Sequence, residues 1–496
     1  MKTYLSIDVG TSSTKLSLFD EQGRLLTAHA AGYPVNYPQP EWAEQDPDVW
    51  WKAVCQLGPE IMKHPGARHL EGISVSGQTP LGVPVDEQGR PLRNAILWLD
   101  RRAVSQVDWL RAEIGEDRCR KVSANRLDSY FGGLKWLWFR QEEPHLFDRT
   151  WKILQANSFV TLKLTGKTVI DPAQAGLCSP CFNFEKTCWD EEICASMGIP
   201  VDKLPEIHPA YEVIGQISPS AARLTGLPEG TPVVCGGADF ACACLGAGVT
   251  GRQSAAMMLG TAGNLMFPGI FNPDARLLHT RHLTGEPLTF GGVMAGGNLN
   301  WFASLIDGED PGLYRRLDDE AAQVPPGSEG LIFLPYLMGE RTPIWDPGAR
   351  GAFIGLSSRH TRAHLYRAVL EGVAFAFRQI ADITGSAGSS ESSLERIVAI
   401  DGGARSSLWR SILASMLNLP VCQGGDRSGT ALGSVFLAAL GTGGVSSFDA
   451  ITSWVETEAV NRPDPLQHER YNRLNEVYTG LYEKLKPDFD VLGSLS

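Results

Sequence analysis

The sequence predicts an α/β protein built in two halves, each with a glycine-containing turn after a short strand. Alternating apolar residues in the first thirty positions predict antiparallel strands, and apolar stripes at helical spacing follow later. The chain has 496 residues, too many for one ordinary core. A break near Gly246 would divide it almost equally. We therefore expect an N-terminal domain over residues 1–246 and a C-terminal domain over residues 247–496.

Bulk composition excludes several classes of protein. Hydrophobic residues make up 43% and charged residues 20%, which is typical of a globular chain, and the net charge of −12 argues against nucleic acid or an anionic membrane as partner. No apolar run approaches the roughly 20 residues that cross a bilayer. Strand-like residues begin directly after Met1, leaving no room for a signal peptide. We expect a cytoplasmic protein.

The ten cysteines indicate reduced thiols rather than a metal site. Several lie in apolar runs, where cysteine packs as a small hydrophobe. One group deserves comparison with zinc motifs: Cys178, Cys181, Cys188 and Cys194. It contains one C-x-x-C spacing but neither a second pair nor a histidine at ligand spacing. We expect no zinc site there.

Strands and helices can be placed in chain order. Leu5, Ile7 and Val9 alternate as a strand, and residues 20–24 form a polar turn into the next one. Helices are predicted over 134–140, 240–245, 363–380, 408–417 and 431–440. Ser406 and Ser407 are candidate caps of the fourth of these helices.

The first candidate site is the turn after the first strand. Asp8 lies near the strand end, the turn supplies Thr11, Ser12 and Ser13, and Lys15 follows. Backbone N–H groups and hydroxyls in such a turn can bind phosphate oxygens. A carboxylate beside them can hold Mg²⁺ through water. The alternative is an ordinary hairpin with a solvated aspartate.

The second candidate site ends in Asp239. A buried strand over 233–235 leads through Gly236 and Gly237 to this carboxylate at the start of a helical segment. We expect the helix dipole to keep the carboxylate ionised, so that it could accept a proton from an attacking hydroxyl. The alternative is an aspartate that only caps the helix.

Two further turns repeat the pattern of strand, glycine and polar residue. Gly260 and Thr261 follow the apolar run 255–258 and form a second phosphate-type turn. After residue 401, Gly402, Gly403 and Ala404 could let an adenine or ribose lie against the backbone. An ordinary strand-to-helix turn is the alternative for the glycine pair.

Motifs along nearly the whole chain resemble the FGGY family of carbohydrate kinases, most closely its xylulokinases. The matching stretches are WAEQDP at 42–47, AILW at 95–98, YFGGLKWLW at 130–138, FLPYLMGERTP at 333–343, GAFIGL at 351–356, HL at 364–365 with AVLE at 368–371, and GGD at 424–426 before ALG at 431–433. One departure is Gly132, where the family usually has Pro, Ser or Thr.

The resemblance implies two ribonuclease-H-like domains of the actin-like ATPase type with a cleft between them. Sugar would bind mainly to the N-terminal half and ATP to the C-terminal half. By position, Asp239 matches the catalytic base, Asp8 the Mg²⁺-linked aspartate, and Thr11 and Thr261 the phosphate contacts. Residues matching the nucleotide site are Gly296, Asn300, Gly403 and Ser407.

The same resemblance leaves the sugar open. Gln78 and Thr79 align with the strand end that contacts sugar, but Thr79-Pro80 replaces the usual Met-His, and Phe240 replaces a common Asn or Gln. Trp98 and Asp100 are candidates for the rim of the sugar site, with a surface salt bridge as the alternative for Asp100. We expect a ketopentose such as xylulose, with gluconate, a tetrulose or a polyol as alternatives.

Two functions from different classes therefore compete. One is a sugar kinase that uses ATP and Mg²⁺ and has small molecules as its partners. The sequence does not reveal its oligomeric state, and a homodimer is one possible assembly. The other is a non-catalytic, nucleotide-binding regulatory protein of the actin-like group. Two carboxylates, Asp8 and Asp239, favour the enzyme, because a protein that only binds nucleotide does not need the second one.

Overall fold

The computed structural model describes residues 1–306, 312–385, 393–425 and 429–493. Asp426 of the GGD motif lies outside the described residues. The chain divides into two compact units. Unit 1 comprises Met1–Thr250, His279–Pro287 and Arg427–Val455, and unit 2 comprises Gly251–Leu278, Leu288–Asp426 and Glu456–Ser496.

Residues 1–250 alternate between strands and helices. The strands are β1 (Thr3–Val9), β2 (Ser13–Asp20), β3 (Leu25–Gly32), β4 (Glu44–Gln45), β5 (Leu70–Gly77), β6 (Val83–Val85), β7 (Ala95–Ile96), β8 (Lys152–Leu154), β9 (Val169–Ile170), β10 (Phe182–Asn183), β11 (Cys188–Trp189), β12 (Glu206–Ile207), β13 (Val213–Gln216), β14 (Pro232–Val234) and β15 (Gly237–Ala238). The helices are α1 (Pro47–Met62), α2 (Val104–Glu113), α3 (Glu116–Ser123), α4 (Gly132–Glu142), α5 (Pro144–Arg149), α6 (Ala156–Thr165), α7 (Pro172–Gly176), α8 (Glu191–Ser196), α9 (Pro219–Thr225) and α10 (Asp239–Gly246).

The described part of residues 251–496 continues the same alternation. Its strands are β16 (Ser254–Leu259), β17 (Ala262–Pro268), β18 (Leu278–Arg281), β19 (Pro287–Met294), β20 (Ile332–Leu334), β21 (Ala352–Ile354), β22 (Arg396–Ile400), β23 (Val421–Gly424) and β24 (Thr457–Asn461). Its helices are α11 (Gly296–Ser304), α12 (Leu313–Ala322), α13 (Arg362–Thr384), α14 (Ser407–Leu417), α15 (Thr430–Gly441), α16 (Pro465–Thr479) and α17 (Leu481–Gly493). Over the described residues of the whole chain, five short 3-10 helices cover Pro65–His69, Val201–Lys203, Ser328–Gly330, Gly402–Arg405 and Phe448–Ser453.

Unit 1 is built on a mixed sheet with the order β13-β14-β5-β1-β2-β3. The strands β1, β2 and β3 are antiparallel neighbours, as the alternating residues near the N-terminus predict. Parallel strands β5 and β14 continue the sheet, and β15 also pairs with β5. Since the carboxyl ends of β1, β5 and β15 meet at one edge, residues that follow these strands are brought together there.

Unit 2 repeats this plan with strands β19-β17-β16-β22-β23-β24. The strands β19, β17 and β16 are antiparallel, β22 and β23 continue in parallel with β16, and β24 is antiparallel at the far side. The two glycine–threonine turns of the sequence thus take equivalent places, between β1 and β2 and between β16 and β17. The predicted α/β class is confirmed.

The predicted helices are confirmed, with ends set by local chemistry. The Ser406 side chain accepts from the Trp409 N–H at 3.0 Å, so Ser406 caps α14 and Ser407 is its first residue. The helix ends at Asn418 in the left-handed conformation, followed by Pro420. Each unit has its own apolar core, with Leu5, Ile73 and Val75 in the first and Met257, Val373 and Phe377 in the second.

Two segments from the second half of the chain belong to unit 1. The predicted division into residues 1–246 and 247–496 treats both domains as continuous, whereas helix α15 packs inside unit 1. A Cβ on Gly433 of α15 would lie 1.9 Å from the Cys242 carbonyl oxygen of α10, and Ser434 Oγ lies 3.1 Å from Ser74 Oγ of β5. Sequence alone gives no signal for such a long-range return.

Among the described residues, no helix combines the length and the hydrophobicity that a membrane-spanning segment requires.

Candidate active site

Asp8 lies near the carboxyl end of the central strand β1. Its neighbours in the sheet are Lys15 on β2 and Ser76 on β5, and Ser76 Oγ donates to Asp8 Oδ1 at 3.0 Å. Burial raises the pKa of the Asp8 carboxyl to about 6, although the hydrogen bond from Ser76 and the charge of Lys15 lower it. The hydrogen bond from Ser76 and the charge of Lys15 therefore do not fully offset the effect of desolvation on the carboxylate.

Asp239 is brought to the same edge of the sheet by β15. Gly237 pairs with Ser76 of β5, and the chain then turns into α10, where the Phe240 N–H donates to Asp239 Oδ1 at 2.7 Å. Gly236 permits this path: its φ is +76°, and a Cβ there would lie 2.0 Å from the Val75 carbonyl oxygen. No other residue type fits at Gly236 without moving β5.

Asp239 is not held ionised as the sequence-based expectation had it. Burial first, and the negative charge of Asp8 second, raise the pKa of Asp239 to about 7, while the backbone N–H groups at the helix start lower it less. The expectation was wrong because the helix dipole is weaker than the combined effect of desolvation and a neighbouring carboxylate. Asp239 is consequently poised to gain or lose a proton near neutral pH.

The turn between β1 and β2 is tied to two other predicted site residues. Trp98 Nε1 donates to Thr11 Oγ1 at 3.0 Å, and Thr11 Oγ1 donates to Gln78 Oε1 at 3.1 Å. Gln78 Nε2 in turn donates to the Gly10 carbonyl oxygen and to Gln45 Oε1. The Thr11 hydroxyl is therefore engaged within the protein, where it holds the Trp98 ring beside the turn.

The other polar residues of this turn differ in exposure. Ser12 and Lys15 are exposed and Ser13 is half-buried. The Gly10 N–H donates to the Ser13 carbonyl oxygen at 3.0 Å, which closes the turn. Of the three hydroxyls predicted here, that of Ser12 is the most accessible to a ligand.

Thr79 and Asp100 lie inward rather than at a rim. Thr79 Oγ1 donates to Gln155 Oε1 at 3.0 Å, and only 6% of the residue is exposed. Asp100 is fully buried, and its carboxylate pairs with Arg102 at 2.7 Å and accepts from the Ala43 N–H. The alternative of an ion pair is therefore the observed arrangement for Asp100, although the pair is buried and not at the surface. Phe240 is also buried.

In unit 2, the Gly260–Thr261 turn is fastened to the start of α11. The Gly296 N–H donates to the Gly260 carbonyl oxygen at 2.8 Å, and the Gly297 N–H donates to that of Thr261 at 3.0 Å. A Cβ on Gly296 would lie 2.8 Å from the Gly260 oxygen, so the close approach requires glycine. Asn300, one helical turn later, is exposed and accepts from the Tyr314 hydroxyl at 2.7 Å.

The glycine pair after β22 lies beside this turn. Since β16 and β22 are parallel neighbours with Met258 opposite Ile400, both strands release their next residues at one edge. A Cβ on Gly403 would lie 2.7 Å from the Leu259 carbonyl oxygen, whereas one on Gly402 would meet nothing within 4 Å. Gly402 therefore leaves the backbone open to a ligand.

The remaining predicted nucleotide residues begin the next helix. Ala404 is buried, and its carbonyl oxygen accepts from the Arg410 guanidinium. Ser407 Oγ accepts from the Asn461 side chain at 3.4 Å. The first contact joins the 3-10 helix to α14, and the second joins the start of α14 to β24.

Both halves of the chain match the same family of known proteins. The sequence profile for the N-terminal domain of the FGGY family of carbohydrate kinases matches residues 3–246, and the profile for its C-terminal domain matches residues 255–442. The chain belongs to this FGGY family.

Relatives of this FGGY kinase match along its full length. A xylulose kinase of Lactococcus lactis subsp. lactis (strain IL1403) is 32% identical over 97% of this chain and 97% of its own. The crystal structure of xylulose kinase from Rhodospirillum rubrum has a TM-score of 0.90 at 32% identity, covering 99% of this chain and all of that one. A gluconate kinase structure from Lactobacillus acidophilus has a TM-score of 0.91 at 26% identity, with 99% of both chains covered.

These matches confirm the fold and the enzyme class predicted from the motifs. The FGGY kinase has the ribonuclease-H-like, actin-like ATPase fold in both of its domains, and it is a carbohydrate kinase that uses ATP. The rival interpretation, a purely regulatory nucleotide-binding protein, does not describe this family.

Some residues of the FGGY kinase site gave no separate signal in the sequence. Ser76 binds Asp8, Gln45 binds Gln78, and Gln155 takes the hydroxyl of Thr79. Gln45 lies inside the matched stretch 42–47. Ser76 pairs with Asp8 across parallel strands, so a strand-pairing argument could have found it. Gln155 lies 76 positions from Thr79, and only the folded chain brings the two together.

The side chains of the described residues do not by themselves form a complete metal site. Among residues 1–306, 312–385, 393–425 and 429–493, no set of three or more His, Cys, Asp or Glu side chains is arranged to hold a metal ion. In the cysteine group weighed for zinc, Cys178, Cys181 and Cys194 are buried and Cys188 is exposed. A metal at Asp8 would need substrate or water oxygens to complete its coordination.

Proposed function

We propose that this FGGY kinase transfers the γ-phosphoryl group of ATP to a hydroxyl of a small sugar of the ketopentose class, such as xylulose, with Asp239 as the general base. The placement of Asp239 carries the proposal: it lies beside Asp8 at the edge where β1, β5 and β15 end, with a pKa of about 7. A group that changes protonation near neutral pH can accept a hydroxyl proton during phosphoryl transfer. Acceptance late in a loose transition state requires no stronger base.

The donor set around Asp8 suits a divalent cation. Asp8 and Asp239 are two half-buried carboxylates at one edge of the sheet, and Lys15 is the cation that lowers the pKa of Asp8. Carboxylate oxygens are ligands that Mg²⁺ prefers, and this ion usually keeps several waters and binds substrate phosphates as well. We assign Asp8 as the residue that holds Mg²⁺. When bound, the ion neutralises charge on the triphosphate.

We assign the nucleotide to the turns and helix starts of unit 2. The backbones of Gly260 and Gly296 approach each other closely, whereas there is free space beside Gly402. All three residues lie where strands of the same direction end. The assigned residues are Gly260, Thr261, Gly296, Asn300, Gly402, Gly403, Ala404 and Ser407. From unit 1, Thr11, Ser12, Ser13 and Lys15 are assigned to the phosphates, with Ser12 in direct contact and Thr11 acting by shaping its turn.

We assign the sugar to the side of unit 1 that carries Gln78, Trp98 and Asp239. Trp98 is half-buried and fixed through Thr11, so one face of its indole can pack against a sugar ring. Thr79, Asp100 and Phe240 act from behind this surface, since their side chains are engaged or buried within the protein. Their role is to set the shape of the pocket.

One observation favours a sugar other than xylulose. The Thr79 hydroxyl is committed to Gln155, and Pro80 has no N–H, so this strand end offers no side-chain donor where xylulokinases usually have histidine. A site that lacks a buried donor discriminates differently among hydroxyl patterns. Gluconate, a tetrulose and a polyol are therefore the alternatives to test.

A substrate panel tests the proposal. ADP release from ATP is measured with xylulose, other ketopentoses, a tetrulose, gluconate and polyols, each with and without Mg²⁺. We expect one sugar to stimulate ADP release strongly and only with the cation. Folded protein that binds ATP but releases no ADP with any of these compounds would contradict the proposed function.

Two properties complete the proposal. The ten cysteines include no disulfide and most are buried, which supports a reducing, cytoplasmic location. A homodimer stays a prediction from the family resemblance, to be checked by light scattering.

A further inference from the structure

Asp401 has a backbone conformation that glycine normally takes. Its φ is +72° and its ψ is −175°, in a region that is essentially restricted to glycine because a Cβ clashes with the neighbouring backbone. Two glycines follow it directly, so a third would be the unstrained choice. The chain instead places a carboxylate there.

Contacts among the described residues do not explain the strain. Asp401 precedes the short 3-10 helix Gly402–Arg405, yet its side chain makes no capping hydrogen bond. Within the part of the chain that the structure describes, the carboxylate has neither a hydrogen bond nor an ion pair. Its residue is exposed to solvent, but protein atoms crowd the carboxylate and this desolvation raises its pKa. Within residues 1–306, 312–385, 393–425 and 429–493, no contact accounts for an acid in this strained conformation, which is consistent with a role toward a ligand.

The position of the carboxylate supplies that reason. Asp401 follows β22, and β22 runs parallel to β16, which leads into the Gly260–Thr261 turn. Asp401 Oδ2 lies 3.4 Å from the position of a Cβ on Gly260. The carboxylate therefore lies against the turn that we assigned to phosphate.

A carboxylate against this turn and a polyphosphate bound to the same turn would repel each other unless a cation lay between them. A hydrated divalent cation attracts both, and Mg²⁺ in nucleotide sites keeps several of its waters. We propose that Asp401 is a nucleotide-binding residue whose carboxylate contacts the divalent cation of the metal–ATP complex, through water, and disfavours metal-free ATP. This inference depends on the proposed function, since it takes the Gly260–Thr261 turn as the phosphate site.

Binding measurements on the full-length protein test the inference without relying on turnover. The dissociation constant for ATP is measured by calorimetry in Mg²⁺ and in EDTA, for wild type, Asp401→Asn and Asp401→Gly. We expect wild type to prefer Mg²⁺–ATP, and both variants to lose about tenfold of that preference, mainly by gaining affinity for metal-free ATP. An unchanged preference in Asp401→Asn would overturn the proposal.

Asn418→Gly is the matched control. Asn418 also has a positive φ, of +55°, and lies in the same unit at the end of α14, away from the assigned nucleotide residues. We expect this variant to keep the wild-type preference for Mg²⁺–ATP. Loss of this preference in Asn418→Gly would overturn the proposal, because the effect would then not be specific to Asp401 but would follow from any substitution at a left-handed residue.

Thermal unfolding of the ligand-free protein gives a second readout. Asp401→Gly relieves the strained backbone, so we expect its melting temperature to rise. A lower melting temperature would show that the side chain stabilises the fold itself, which contradicts a role reserved for ligand.

Two other results can be told apart from these. In the first, Asp401→Asn keeps its preference for Mg²⁺–ATP but no longer discriminates between ATP and 2′-deoxy-ATP. This result would place the carboxylate on the ribose and overturn the proposal. Wild-type protein that binds no ATP in either condition would contradict the proposed function instead.

Discussion

At the scale of single residues, the proposed chemistry depends on the partial burial of two carboxylates. Asp8 and Asp239 both have raised pKa values, and Asp8 contributes to the shift of Asp239 through its charge. Among the described residues, neither acid has a buried arginine or lysine partner of the kind that Asp100 has in Arg102. Negative charge at this edge of the sheet is therefore poorly neutralised, and a bound cation or a proton would stabilise it.

Replacing Asp239 by asparagine removes the proton acceptor without changing the side chain's size. We expect Asp239→Asn to lower kcat by about 10²- to 10⁴-fold, the usual range for a general base. ATP binding, measured by calorimetry, should be unaffected. Asp108→Asn, at an exposed helix position paired with Arg111, is the control and should keep wild-type turnover. Turnover of Asp239→Asn close to wild type would remove Asp239 from the role of base.

The raised pKa values set the pH dependence of activity. Because a base must be ionised, kcat/KM should rise with pH by about one log unit per pH unit below about 7 and level off above it. In Asp239→Asn, the rise of kcat/KM with pH below about 7 should be altered, because the group that titrates there has been removed. A profile that stays flat from pH 5 to 8 would contradict ionisation of Asp239 as the controlling step.

Stability should follow the opposite trend. The folded protein holds the protons of Asp8 and Asp239 more tightly than the unfolded chain, whose aspartates have a pKa of 3.8. The contribution of the two groups to stability is present below pH 3.8 and is lost as the pH rises through about 6 and 7. Urea unfolding of wild type and Asp239→Asn at pH 5 and pH 8 measures it, and the variant should lose less stability between the two.

At the scale of elements, the sheet register and a few tight turns decide where the site forms. The β1, β5 and β15 strands bring Asp8, Ser76 and Gly237 into one row. Asp239 then leaves that row at the start of α10. In unit 2, β16 and β22 bring Gly260 and Asp401 together in the same way. These arrangements follow from hydrogen-bonded pairing, so they depend on backbone geometry as much as on side chains.

Gly236 gives a test of this dependence. Gly236→Ala introduces both a positive-φ strain and a clash with Val75 of β5, and we expect it to cost about 3 kcal/mol or more and to lower kcat. Gly230→Ala is the control, since Gly230 has a φ of +79° with open space around it, and should cost about 1 kcal/mol. Urea midpoints report both costs. Equal destabilisation by the two variants would show that the contact with β5 does not matter.

At the scale of the whole molecule, unit 1 is completed by residues from the far end of the sequence. Helix α15 packs against α10 through Gly433, and its Ser434 reaches Ser74 of β5. The segment His279–Pro287 also joins unit 1, where Asn125 exchanges hydrogen bonds of 2.8 and 2.9 Å with the backbone of His279. The fold of unit 1 is thus not encoded in residues 1–246 alone.

A chain truncated to residues 1–246 should therefore fail to fold cooperatively. Without α15, the apolar surfaces that this helix covers on α10 and on the sheet of unit 1 are exposed to water. We expect broad urea unfolding and strong binding of a hydrophobic dye, compared with a sharp transition in the full-length protein. Cooperative unfolding of the truncated chain at the wild-type midpoint would contradict the completion of unit 1 by the later segments.

Local patterns in the sequence were enough for the class of fold and for the residues at strand ends. Alternating residues predicted the β1–β3 meander, and the cap at Ser406 with Pro420 predicted α14. The two glycine–threonine turns and Asp239 could be placed at strand ends because short strands followed by glycine have a recognisable composition. Long motifs placed the chain in its family, which the comparisons confirm.

Only the tertiary structure decided what each side chain touches. Thr79 and Asp100 are engaged by Gln155 and Arg102 inside unit 1, and Asp239 has a raised pKa where a helix dipole had predicted ready ionisation. The physical reason is that backbone turns and strand patterns are set by neighbours in sequence. Hydrogen-bond partners, desolvation and charge are set by groups that packing brings together from distant positions.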